Sequence, residues 1–319
     1  MLNESVKRFN LEYRPWVGAK NPWWYGSFAI ARESVLVLGK RKLFWGLYSL
    51  AMIAFLFYFF GQYLFFWLAE LQSEEMVKIG GFGRANPGDL LQFLRNALKM
   101  DGSPETFRNF IAIESRTLIL VLIFAGVNLV GDDLTQGTMP FYSSRPKGII
   151  KYLLGKFLAT SFLVFLLIPL PSILLFIEIC LLDSWDYLFG SFRTLVGILG
   201  YSLLINLGLV LPFLVSAALL RGTINIILFW SGVFFLLPAL VLVMVETLKF
   251  DVAFRIFDYW YCLERLGEKC LGAQPVLVQA GVDKTLSPWL AALMLAGTVS
   301  FSLAILKKIY LTGERAFEN

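Results

Sequence analysis

The sequence predicts an all-α polytopic membrane protein with six transmembrane helices and an N-terminal interfacial helix. Apolar residues make up 58% of the 319-residue chain and its mean hydropathy is +0.69, whereas soluble domains are about 45–50% apolar. Only 16% of the residues are charged, too few to cover a soluble protein of this length. Several apolar stretches reach about 20 residues, the length that a helix needs to cross a hydrocarbon core of ~30 Å.

The six spans are predicted at about 43–69, 110–130, 157–182, 195–220, 224–245 and 288–306. They form a transmembrane domain over 43–306, preceded by a cytoplasmic N-terminus (1–42) and followed by a cytoplasmic tail (307–319). The external segments are 70–109 and 246–287. The second span is the weakest, because its uncharged part, Thr117–Val130, is too short to cross alone. It must also include Phe110–Arg116, which carries Glu114 and Arg116.

Loop charge favours this topology over one that omits the second span. With six spans and a cytoplasmic N-terminus, the inner segments hold 16 Lys and Arg residues and the outer segments hold 12. Without the second span each side holds 14. Because basic residues concentrate on the cytoplasmic side of membrane proteins, both termini are predicted to be cytoplasmic.

Residues 22–42 are predicted to form the interfacial helix that leads into the first span. Trp23, Trp24 and Tyr25 suit the headgroup level of a bilayer, and the residues after them give a rough apolar stripe with charges elsewhere. An irregular cytoplasmic tail is the alternative.

Composition excludes several functions for this chain. It has no histidine and only three cysteines, without metal-ligand spacing. It has no hydrolase or metalloprotease motif, and the apolar stretches carry no facing carboxylate pair, so it is predicted not to be an enzyme. Its net charge of +5 suits membrane-flanking anchors rather than nucleic-acid binding. The first long apolar stretch begins near Leu43, too far along for a signal peptide.

Cys262 and Cys270 lie in the second external segment and could form a disulfide if the chain turned between them. A single straight helix would instead hold them ~12 Å apart, beyond the reach of a disulfide. Both arrangements stay open from the sequence.

Residues 131–156 form a polar passage between two apolar stretches. Asp132 and Asp133 end the second span, and Gly137 and Pro140 interrupt the chain before it turns. A short helix held between two rigid spans could transmit force. An ordinary cytoplasmic loop with basic anchors is the alternative.

Two stretches resemble the type-2 ABC transporter permeases. The first runs from Asp133 through "GT" at 137–138 and "SRP" at 144–146 to "YLLGK" at 152–156. It is similar to that family's conserved loop before the third span. The second, "ARESVLVLGKRKLFW" at 31–45, is similar to the family's arginine–glutamate interfacial helix, with Arg32 and Glu33 at the matching positions.

The resemblance implies a subunit of six helices that works as a dimer, and a cytoplasmic coupling helix in the 131–156 loop that docks on a separate ATPase subunit. The predicted coupling residues are Asp132, Asp133, Gly137, Thr138, Ser144, Arg145, Pro146 and Lys156. The chain has no Walker A motif. It is therefore predicted to bind no cofactor itself, with ATP and Mg²⁺ in the partner ATPase.

The predicted function is that of the permease subunit of an ABC exporter in a bacterial inner (plasma) membrane. The expected partners are an ABC ATPase, a second permease subunit in a homodimer or heterodimer, membrane lipid and an envelope accessory protein. One alternative is a non-transporting ABC complex that acts mechanically on an envelope partner. The other is an ion-driven carrier, which the uncharged apolar stretches disfavour. The substrate cannot be read from the sequence.

Overall fold

A computed structural model describes residues 22–70, 77–78, 84–85, 87–126, 148–220, 223–275 and 285–315. Nearly all of these residues are helical, which confirms the predicted helical class. Five helical stretches in the described part are long and apolar enough to cross a membrane: Lys42–Glu70, Gly148–Leu182, Phe192–Leu220, Ile224–Thr247 and Pro288–Lys308. The prediction of an integral membrane protein is confirmed at this level.

The first half of the described chain contains four helices and one small strand pair. Helix α1 spans Tyr25–Gly39, α2 Lys42–Glu70, α3 Pro87–Phe93 and α4 Pro104–Val121. Strands β1 (Val77–Lys78) and β2 (Arg84–Ala85) pair antiparallel between α2 and α3. Turns of π-helix follow α3 at Leu94–Leu98 and α4 at Leu122–Gly126.

The second half adds eight helices to the part that the structure describes. They are α5 (Gly148–Leu167), α6 (Pro169–Leu182), α7 (Trp185–Gly190), α8 (Phe192–Leu220), α9 (Thr223–Ser231), α10 (Leu237–Leu242), α11 (Tyr259–Leu271) and α12 (Pro288–Arg315). Turns of π-helix flank α10 at Gly232–Leu236 and Val243–Thr247, and a 3₁₀ helix covers Val252–Phe257.

Helix α4 lies at the centre of the core and packs against α2, α5 and α11. Its apolar side chains Phe107, Phe110, Ile111 and Leu118 are fully buried. The helix also carries two acidic and two basic residues, and it is not one of the five stretches above. The count of six spans, with α4 in the second, therefore stays a prediction.

Helices α5 and α6 form one bent stretch because two prolines follow Ile168. Pro169 and Pro171 have no backbone N–H, so the regular hydrogen-bond ladder is interrupted there. The Ile168 carbonyl accepts both the Ser172 N–H at 3.1 Å and the Ser172 hydroxyl at 2.7 Å, so the hydrogen-bond ladder resumes directly after the bend.

Helix α11 packs lengthwise on α8 through glycine contacts. A Cβ atom added at Gly197 would lie 2.6 Å from the Cys270 carbonyl oxygen. A Cβ atom added at Gly267 would lie 2.2 Å from the Tyr201 ring. The segment between the last two candidate spans therefore turns back onto the helix bundle.

The suggested disulfide between Cys262 and Cys270 is not formed. Both thiols are free, and both residues belong to α11, which is a single helix. Eight residues of helix separate the two Cα atoms by ~12 Å, so the helical alternative holds and the chain does not turn between them.

Candidate functional site

Helices α1 and α5 pack along each other at the base of the bundle. The buried residues of α1 are Ser27, Ala31, Ser34 and Leu38, which recur at intervals of three or four and so share one face. Three of them are small, and they let the two backbones approach closely.

The two helices approach each other closely at Gly155. A Cβ atom at this position would lie 2.8 Å from Ile30 Cβ and 2.9 Å from the Ser27 carbonyl oxygen. Any other residue at 155 would force the two helices apart or shift them. The Gly-Lys pair of the 131–156 motif is therefore a helix-packing element in this structure.

Lys156 lies inside the α1–α5 contact. Only 6% of its surface is exposed. Its Nζ donates a hydrogen bond to Ser34 Oγ at 3.1 Å and lies 5.5 Å from the centre of the Tyr152 ring. The sequence placed Lys156 in the coupling loop, whereas the structure places it in α5 with its ammonium turned toward α1.

Arg32 and Glu33 are both exposed on α1. The apolar residues beside Arg32 line a groove that runs between α1 and α5. At the other end of α1, Trp45 Nε1 donates to the Gly39 carbonyl at 2.7 Å, so the start of α2 is tied to the end of α1. A displacement of α5 would therefore also move α1, and through α1 the start of α2.

The other predicted coupling residues lie outside the described part of the chain. These are Asp132, Asp133, Gly137, Thr138, Ser144, Arg145 and Pro146. Helix α5 begins at Gly148, two residues after Pro146. The end of the predicted coupling segment therefore leads directly into the α1–α5 contact.

The opposite end of the bundle is held by a polar tie between α4 and the residues after α11. Arg108 donates from Nη1 to the Gln274 carbonyl oxygen, and the Gln274 N–H donates to Glu105 Oε1 at 3.1 Å. Both backbone groups of Gln274 are therefore paired with α4. Sequence patterns do not indicate this pairing, since more than 160 residues separate the partners.

A buried arginine clamps the residues before α12. The Arg265 guanidinium on α11 donates to Glu268 Oε2 at 2.8 Å, to the Leu286 carbonyl at 3.0 Å and to Thr285 Oγ1 at 3.2 Å. These bonds use the forked geometry that distinguishes arginine from lysine. They fix the start of α12 relative to α11.

Glu264 links α11 to α4. Its carboxylate lies 3.7 Å from Arg116 Nη2 and accepts a hydrogen bond from Trp260 Nε1 at 2.7 Å. Burial raises the pKa of Glu264 to about 7, against the opposing effect of Arg116 and the Trp260 hydrogen bond. Helix α11 is outside the five candidate spans.

Two carboxyl groups lie buried in the bundle. Glu178 on α6 is buried and Glu114 on α4 is fully buried. Neither carboxyl has a hydrogen-bond partner among the described residues. An ionisable group inside a membrane bundle is costly and is commonly functional.

A cavity of about 440 Å³ lies between α8, the α9–α10 stretch and α12. Its polar wall groups are largely satisfied by the protein. Trp230 Nε1 donates to Ser216 Oγ at 2.8 Å, Ser216 Oγ donates to the Phe213 carbonyl, and Tyr259 Oη donates to the Gly208 carbonyl. The cavity therefore suits an apolar group.

No cluster of three or more potential metal-binding side chains occurs within the described residues. No protein-family model matches the chain, and no curated protein matches its sequence.

Proposed function

We propose that the chain is the membrane-spanning permease subunit of an ATP-driven ABC transporter that exports its substrate. A separate cytoplasmic ATPase would dock on the 131–156 loop, and both termini would be cytoplasmic. The observation that carries the proposal is the close contact of α1 with the first turns of α5, at the end of that segment.

The contact supports the proposal because it offers a short path for force. A push on residues 131–147 would reach α5 at Gly148. The Gly155 contact and the Lys156–Ser34 hydrogen bond would transmit it to α1, and α1 continues into α2 after two residues. Packed helices move as units because protein interiors resist compression, so α1, the base of α5 and α2 would shift together.

Three candidate spans have large unpacked apolar faces, which supports a dimer in the membrane. Only 17% of the most apolar window of Lys42–Glu70 is buried inside the subunit, and the same holds for Ile224–Thr247 and Pro288–Lys308. Each window of Gly148–Leu182 and Phe192–Leu220 is more than half buried. In the proposed dimer, a second permease subunit and lipid would cover the sparsely packed helices.

The apolar cavity beside Trp230 fits an apolar or amphipathic substrate better than a strongly charged polymer. Its walls include Pro212, Phe257 and Met294 and carry no charged side chain. A charged polymer would leave its groups without partners there, which is costly at low dielectric.

Purification from native membranes tests the proposed function. The chain is solubilised in mild detergent, isolated through an affinity tag, and its co-purifying proteins are identified by mass spectrometry. An ATPase subunit in a fixed ratio to the chain is expected. A preparation that is pure, folded and free of any ATPase would contradict the proposal.

Buried Glu114 favours a second candidate, an ion-driven carrier, because such carriers keep ionisable groups inside the bundle. The substitution Glu114→Gln separates the two functions. It would abolish transport that is driven by an ion gradient. Transport that is driven by a partner ATPase would continue.

A further inference from the structure

A groove of about 380 Å³ runs along the outer side of the α1–α5 pair. Its apolar walls are Phe28, Val35, Leu36, Leu158 and Phe162. The two buried residues that line it, Ala31 and Ala159, are both small. The buried part of the lining is therefore formed by small side chains.

Arg32 supplies the only charge in this lining. It is exposed, and no ion pair joins it to an acidic side chain among the residues that the structure describes. The neighbouring Glu33 points elsewhere, since consecutive helical residues are about 100° apart, and it does not line the groove.

The position of the groove indicates that it faces lipid. Phe28, Leu36, Leu158 and Phe162 are large apolar side chains with exposed surface, and α5 opens a candidate membrane span. Exposed Trp23, Trp24 and Tyr25 mark the start of α1, as aromatic residues mark the level of lipid headgroups. Leu158 and Phe162 lie farther along α5 than Lys151, and so deeper in the bilayer.

We propose that this groove binds one phospholipid with an anionic headgroup. An acyl chain lies along Val35, Leu158 and Phe162, and the lipid phosphate pairs with Arg32. The volume lies within the range of ~300–1,000 Å³ that small-molecule sites occupy. A guanidinium matches the geometry of a phosphate, and a basic residue near the membrane surface favours anionic lipid. The site does not require an ATPase partner.

Native mass spectrometry of the purified chain tests the site. The protein in mild detergent is titrated with phosphatidylglycerol or with phosphatidylcholine of identical acyl chains. The wild type is expected to bind one phosphatidylglycerol more tightly than phosphatidylcholine. Arg32→Gln should weaken the first phosphatidylglycerol by about fivefold, since one charge near the surface contributes about that factor. It should weaken phosphatidylcholine by less, because the choline ammonium already offsets the charge of the phosphate.

Glu33→Gln is the matched control, because it removes an exposed charge one residue away and should keep the lipid preference. Val35→Trp fills the groove and should weaken both lipids. Each variant is first compared with the wild type by size-exclusion profile and thermal unfolding. If Arg32→Gln binds phosphatidylglycerol as the wild type does, the proposal is wrong. It is equally wrong if the wild type binds both lipids alike, or if Val35→Trp changes only the monomer–dimer ratio.

Discussion

The side chains of Lys156 and Ser34, which are 122 positions apart in the sequence, join helices α5 and α1. The Lys156 ammonium donates to the Ser34 hydroxyl oxygen at 3.1 Å in a buried contact between α5 and α1. Lys151 lies near Gly26 and Gly155 lies near Ile30. These contacts show that the two helices run side by side in the same direction. This junction is the part of the described structure that adjoins the predicted coupling loop.

Ser34→Ala should destabilise the junction. It removes the acceptor of a hydrogen bond from a charged, buried donor, which typically contributes ~1.5–3 kcal/mol. We expect a lower midpoint of thermal unfolding in detergent. Ser49→Ala is the control, since Ser49 is exposed and bonds only within its own helix, to the Gly46 carbonyl. Equal shifts for the two variants would show that the Lys156–Ser34 bond adds no stability.

Gly155→Ala should loosen the α1–α5 contact, because the new methyl would meet Ile30 and the Ser27 backbone below 3 Å. Overpacking of this kind costs ~1–3 kcal/mol. In contrast, Gly46→Ala adds the same methyl in helix α2 where nothing lies within 4 Å. This control should be neutral or more stable by up to ~1 kcal/mol. The thermal unfolding midpoints of both variants check this difference. A Gly155→Ala protein as stable as the wild type would contradict the prediction.

Arg265→Gln should release the start of α12. Removing one partner of a buried ion pair costs ~3–5 kcal/mol. The cost arises because the remaining charge, here that of Glu268, stays buried without the opposing charge of Arg265. Lys269→Gln is the control on the same helix, since Lys269 is exposed, and it should shift stability by less than ~1 kcal/mol. The free energies of unfolding of the two variants give the comparison. A shift for Arg265→Gln as small as that of Lys269→Gln would rule out the clamp.

Stability should depend on pH through Glu264. Its pKa is raised to about 7 in the folded protein, whereas an exposed glutamate has a pKa near 4.3. Between these values the folded protein keeps a proton that the unfolded chain has lost, so raising the pH favours unfolding. The free energy of unfolding should therefore fall by up to ~3 kcal/mol between pH 4.5 and 7, relative to Glu264→Gln. Parallel pH curves for the two proteins would contradict this effect.

The apolar segments were predictable because segment length is a local property. Uninterrupted stretches near 43–69 and 195–220 correspond to helices Lys42–Glu70 and Phe192–Leu220. The helix after Trp24 was also predictable, from its apolar stripe and flanking aromatics. Its placement at the membrane interface stays a prediction, as do the sixth span and the coupling role of residues 132–146.

Contacts between distant residues were not predictable. Nothing near Arg108 in the sequence indicates that it pairs with Gln274, and nothing near Glu178 indicates that neighbouring helices bury it. Lys156 was counted among the coupling residues because "YLLGK" at 152–156 resembles the family's motif before the third span. What the sequence did not indicate is that Gly155 lets α1 pack closely on α5. Burial is set by tertiary packing, which a single sequence does not display.

In the proposed function, residues 131–156 couple a partner ATPase to this chain. The decisive measurement is the ATPase activity of the purified complex in lipid, with Arg145→Ala compared against the wild type. Arg95→Ala is the matched control, at an exposed arginine that the predicted topology places outside the membrane. We expect Arg145→Ala to lower the permease-stimulated ATPase rate at least tenfold and Arg95→Ala to leave it unchanged. Full stimulation in a folded Arg145→Ala complex would contradict the coupling claim.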